Sequence, residues 1–141
     1  MPDFFHIPIC YYIKNMLKLT TVFFVLCLGM LAGIHILSLH FFLYWKFLWL
    51  DIPVHFFGGA IVALGLFTIG DFIREFPPRL LYVVPVMSGV IIIALAWELF
   101  EIFIGIPTNT PGYALDTIID LVVGITGGFV GFLIGHSIRK L

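Results

Sequence analysis

The run "VVPVMSGVIIIALAWELFEIFIGI", Val83–Ile106, decides the class of fold. It is apolar over more than the roughly 20 residues that a helix needs to cross a bilayer. Yet its "WELFE" segment, Trp97–Glu101, places Glu98 and Glu101 three residues apart, on one face of that helix. A charged acid deep in hydrocarbon costs about 2.5–3.5 kcal/mol on insertion scales, and less near the interface. The run therefore predicts a membrane span with a polar feature towards one end.

Working outward, the composition agrees. The chain has 141 residues, 62% hydrophobic and 11% charged, where a soluble domain carries about 25% charged residues. So few charges could not cover a soluble surface. Four apolar segments stand out, at about 20–44, 52–69, 80–106 and 117–138, with Pro85 able to kink the early turns of the third. The breaks "KFLWLD", "GDFIREFPPR" and "PTNTPGYALD" carry Pro, Gly and charge. Residues 1–19 are aromatic and lightly basic and read as an interfacial segment. The first apolar run is too long for the core of a cleaved signal peptide. The expected fold is all-α: a polytopic membrane protein in which residues 20–141 form a bundle of four transmembrane helices behind that segment. Cys10 and Cys27 suggest no disulfide framework. No basic patch, zinc-type spacing or phosphate-cradling loop is present, which excludes nucleic acid as a partner.

Orientation follows from the basic residues. With alternating spans, Lys14, Lys18, Arg74, Arg79, Arg139 and Lys140 fall on one side and only Lys46 on the other. The positive-inside rule then puts both termini in the cytoplasm. Asp51 and His55 open the second span, Glu98 and Glu101 lie near the end of the third, and Asp116 and Asp120 open the fourth. All three pairs reach a similar depth near the outer face, with His40 at a comparable level. No acid is expected in the cytoplasmic half of the helices.

Converging carboxylates need protons, bases or a cation. Lys46 alone cannot neutralise five of them. Carboxylates with a histidine suit Mg²⁺, Mn²⁺, Fe²⁺ or Zn²⁺. Ordinary explanations compete residue by residue. Asp51 and Asp116 sit where a carboxylate caps a helix N-terminus. His35, His40 and His55 could each be packed, hydrogen-bonded histidines. Glu98 and Glu101 lie near a helix C-terminus, the wrong end of the macrodipole for anions. In the fourth span Asp116, Asp120, Gly124, Gly127, Gly131 and Gly135 share one face, so the acidic face continues into a glycine face that lets helices pack closely. Asp51, His55, Gly58, Val62 and Gly65 form a weaker version in the second span. Tyr44, Trp45 and Trp49 read as an interfacial aromatic belt.

"DIPVHFFGG", "WELFE" and "DTIID", in that order, resemble the hallmark segments of the YjdF-like bacterial inner-membrane proteins. The resemblance spans about Asp51 to Gly128. It implies a bacterial cytoplasmic-membrane location. It also implies that Asp51, His55, Glu98, Glu101, Asp116 and Asp120 occupy the family's polar positions. It brings no activity with it.

The expected function is a metal-dependent membrane enzyme, a hydrolase or transferase on a lipid or lipid-linked substrate. His55, Glu98, Glu101 and Asp120 would hold one or two divalent cations, and Asp51 or Asp116 would act as general base. No nucleophilic Ser–His or Cys–His arrangement is evident. Two alternatives stand beside this. One is an accessory subunit of a larger membrane complex, contacting a pigment, haem or quinone, or a homo-oligomer formed through the glycine face. The other is an ion or proton carrier, against which speaks a chain of acids that would end halfway across.

Overall fold

The structure, a computed structural model, describes residues 18–73, 75–104 and 111–139. Four long helices dominate it: α1 Leu19–His40, α2 Asp51–Phe72, α3 Val83–Phe103 and α4 Tyr113–Arg139. Each is long and apolar enough to cross a membrane, and no strand occurs among the described residues. The fold is the four-span all-α architecture expected. The interfacial segment lies outside the described residues, apart from Lys18 and Leu19.

The helix ends differ from the hydropathy reading for local reasons. The first apolar run extends to Tyr44, but α1 stops at His40 because Phe42 is left-handed, with φ 56°, a conformation that breaks the helical path of a bulky residue. One helical turn, Leu43–Lys46, and a 3-10 turn, Leu48–Leu50, follow. His35 Nδ1 and the Tyr44 hydroxyl are hydrogen-bonded at 2.9 Å, so this connection folds back against α1. The third run begins as a 3-10 turn, Pro78–Leu81, and α3 starts only at Val83. Pro85 therefore falls in the first helical turn, where a missing N–H removes no helical hydrogen bond and no kink is needed.

The centre of the bundle is the seam between α2 and α4, the most extensive helix contact. Glycine decides its closeness. A Cβ on Gly59 would strike the Gly124 carbonyl, and one on Gly127 would strike the Phe56 backbone. At Gly131 it would lie 2.7 Å from the Ala60 carbonyl oxygen, and at Gly135 2.5 Å from the Phe67 ring. In lipid there is little hydrophobic force between helices, so this close approach of backbones supplies the attraction. The glycine stripe of α4 is thus used inside the chain. A homo-oligomer through that face would have to open the seam. The α2 stripe is also displaced by one residue from the sequence reading. Gly59, Ala60 and Ala63 pack into the seam, while Gly58 has nothing within 4 Å of where its Cβ would be.

The remaining helices flank this pair. α1 packs on α2, and α3 packs on α4 and α2. α1 and α3 make at most marginal contact with each other. The buried core is apolar: Ala63 and Phe67 of α2, Leu81, Val86 and Val90 around α3, and Phe132 of α4. The outer faces are apolar too, with Phe103 85% exposed and Val84 72% exposed. In water such a surface would drive aggregation; in a bilayer it is the surface that lipid solvates.

Candidate functional site

Asp51 and His55 start α2 one turn apart, and both are partly buried. Asp120 comes from the second turn of α4, on the face that meets α2, and is 4% exposed. Because the seam brings those helices into backbone contact, the three side chains converge. His55 Nε2 lies 3.5 Å from an Asp51 carboxylate oxygen and 3.9 Å from one of Asp120. One donor atom from each of the three lies within 4.8 Å of the others. The His55 nitrogen is buried and has no hydrogen-bond partner, so neither carboxylate satisfies it. Asp51 lies in the first turn of α2, where an acid also suits the helix macrodipole.

Glu98 comes in from α3. It is 6% exposed, and both of its carboxylate oxygens are buried without a hydrogen-bond partner. The Thr117 hydroxyl of α4 stands nearby without hydrogen-bond geometry, and His55, Asp51 and Asp116 are close enough for their charges to act on Glu98. Buried carboxylates are normally paired or hydrogen-bonded, because an unpaired charge in a medium of low polarity is costly. Glu101, one turn further on, is half-buried and accepts a 2.9 Å hydrogen bond from Trp97 Nε1. Asp116 is exposed at the start of α4. His40 is exposed and packs edge-on against Phe41, and His35 is held by Tyr44. The arrangement therefore draws Asp51, His55, Asp120 and Glu98 inward, leaves Glu101 at the edge, and puts Asp116 outside.

Asp51, His55 and Asp120 offer two carboxylates and one imidazole, and the buried Glu98 lies outside that three-residue group. Divalent cations take such ligands at about 2.0–2.6 Å, so two ligands of one ion stand roughly 3–5 Å apart. The spacing of Asp51, His55 and Asp120 falls in that range. An apolar cleft of about 200 Å³ reaches the same place, with His55, Gly124 and Trp97 in its wall.

A second polar cluster occupies the opposite end of the bundle, where none was expected. Asp71, buried in the last turn of α2, accepts hydrogen bonds from the Thr20 hydroxyl, from Lys18 Nζ at 3.2 Å and from Arg139 Nη2 at 2.6 Å. The expectation of no acid in that half of the helices is thereby overturned. The stretch "GDFIREFPPR" reads as a loop, but α2 continues through its first residues to Phe72. The signal available in sequence was a lone acid near the end of one span with basic residues at the ends of two others. The carrier reading gains nothing from it. Between the two clusters, about 30 Å of α2, lies the apolar core, with no titratable relay among the described residues.

A family model described as "Predicted membrane protein (DUF2238)" matches residues 1–141, a wider reach than that of the three motifs. No curated protein and no solved structure matches. With the whole length of the chain covered and four apolar helices in its fold, this multi-pass membrane protein belongs to the DUF2238 family, the one its "DIPVHFFGG", "WELFE" and "DTIID" segments resemble.

Proposed function

We propose that the chain holds a divalent cation between Asp51, His55, Asp120 and Glu98 and is a metal-dependent membrane enzyme, a hydrolase or transferase acting on a lipid-type substrate. One observation carries this reading. Asp51, His55 and Asp120 bring one donor atom each within 4.8 Å of the others, with the His55 nitrogen buried and unpartnered, and a buried Glu98 with two unpartnered oxygens stands on the neighbouring α3. A cation supplies what all of them lack. Three carboxylates and one imidazole suit Mn²⁺, Fe²⁺ or Zn²⁺, with Mg²⁺ the less favoured ion because it accepts nitrogen ligands less readily. When bound, the cation would polarise a phosphoryl or acyl oxygen or activate a water. Asp51 serves here as a ligand, Glu101 as an outer carboxylate oriented by Trp97, and Asp116, at the exposed rim, as the candidate base. The Lys and Arg distribution supports this end facing outward, and the family resemblance supports a bacterial cytoplasmic-membrane location.

Metal analysis of the protein purified in detergent, with calorimetric titration of Mn²⁺ and Zn²⁺, tests the reading. The wild type should bind a cation stoichiometrically, and Asp120→Asn and His55→Ala should lose binding while still folding. A protein that binds no cation and purifies only with other membrane subunits would replace this reading by the accessory-subunit one. Reporter fusions after Ile104 and after Arg139 test the orientation. An outward C-terminal reporter would reverse it.

A further inference from the structure

We infer that the substrate of this site is a lipid whose hydrocarbon chain lies in the cleft between α1 and α3 and whose ester group reaches the cation, entering sideways from the bilayer. The inference rests on the cation reading for its polar end. Its apolar end stands on separate observations. The cleft has Leu31 of α1 on one side and Ile93 and Trp97 of α3 on the other, with Gly58 and Val62 of α2 as its floor and His55 in its wall. Its two sides belong to helices that make at most marginal contact, so the gap between α1 and α3 is a side towards the surrounding lipid. It is lined almost wholly by apolar side chains, and it reaches the polar cluster through His55. A hydrocarbon chain ending in an oxygen-rich headgroup has the same pattern. A soluble substrate has no apolar part to match the floor.

Gly58 makes the cleft as deep as it is. It is the residue of the sequence-read α2 face that leaves the seam, and a Cβ there would meet nothing within 4 Å. A Cβ at 58 meets no atom of the α2–α4 seam, so a larger side chain there is expected to enter the cleft. That separates chain binding from folding and from cation binding.

The experiment uses full-length protein in phosphatidylcholine nanodiscs containing a phosphatidylcholine with a diazirine on its acyl chain. Photolabelled residues are mapped by peptide mass spectrometry, and Mn²⁺ affinity is measured in parallel by calorimetry. The label should concentrate on Leu31, Ile93 and Trp97 over the outward-facing Ile92 and Phe103. Gly58→Leu should lower cleft labelling by about fivefold or more, since a pocket ligand depends on burying most of its surface, and should keep wild-type Mn²⁺ affinity. Ile93→Trp, which fills the cleft from the other wall, should do the same. Gly29→Leu, which also meets open space but lies outside the cleft, should change neither. Even labelling of all lipid-facing residues, or cleft labelling unchanged in both filling variants, overturns the inference and leaves the cation reading intact. Cleft labelling as expected in a wild type that binds no Mn²⁺ overturns the cation reading and the headgroup contact, and upholds the position of the chain.

Discussion

The two ends of the bundle handle buried acid in opposite ways. At one end Asp71 is enclosed by Lys18, Arg139 and the Thr20 hydroxyl, gathered from α1 and α4. The Arg139 guanidinium also lies 5.8 Å over the Phe67 ring. Each partner extends from a helix end, where a long basic side chain can keep contact with water while its charge reaches inward. At the other end Asp51 and Asp120 converge on one histidine, with the buried Glu98 of α3 on the same side of the bundle. No Lys or Arg among the described residues forms an ion pair with them. The chain is evidently able to supply bases to a buried acid, and it does so where the acid serves to tie helices together. The unpaired cluster is therefore not explained by helix tying. On the cation reading, its charge partner comes from outside the chain.

This contrast can be broken in steps. The largest effect should come from the seam that joins both ends. Gly127→Leu forces a side chain into the Phe56 backbone and should destabilise the bundle by more than about 4 kcal/mol, leaving little folded protein. Yield and melting in detergent, with Gly29→Leu as the control, measure it. Wild-type melting of Gly127→Leu would mean that α2 and α4 are not in backbone contact.

Next comes the paired end. Asp71→Asn removes the one acid that Lys18 and Arg139 share among the described residues. Breaking a buried pair costs about 3–5 kcal/mol, but both bases retain water contact, so a loss of about 2 kcal/mol is expected. The loss should be the same in EDTA and in added Mn²⁺. A cation-dependent loss would erase the distinction between the ends.

At the unpaired end the sign itself should change. Glu98→Gln keeps size and a carbonyl while removing an unpaired buried charge, and in EDTA it should raise stability by about 1 kcal/mol. In Mn²⁺ the wild type gains binding free energy, about 2.7 kcal/mol at a hundredfold excess over Kd, and Glu98→Gln forgoes most of it. Melting curves in both conditions decide the matter. Parallel behaviour of Glu98→Gln and wild type throughout would remove the cation. The smallest effect belongs to Asp116→Asn. Its exposed carboxylate should change melting by less than about 0.5 kcal/mol and leave Mn²⁺ affinity within error, while lowering any activity that needs it as a base.

Sequence alone determined the membrane class, the number of spans and the depth of each acidic pair. These depend on run length and on position along a helix, and both are one-dimensional. The Asp51–His55 pairing was legible in the same way, because residues four apart share a helix face wherever the helix goes. Tertiary structure decided which pairs meet. Asp120 reaches His55 because α2 and α4 cross at Gly59 and Gly124, and a crossing depends on which of several small residues faces the partner. That is why the seam runs through Gly59 and not Gly58. Rotation of α3 about its own axis decided that Glu98 turns inward while Glu101, three residues on, stays half-exposed. The partners of Asp71 lie at positions 18, 20 and 139. No periodicity links residues so far apart; only the packing of α1 and α4 on the end of α2 does.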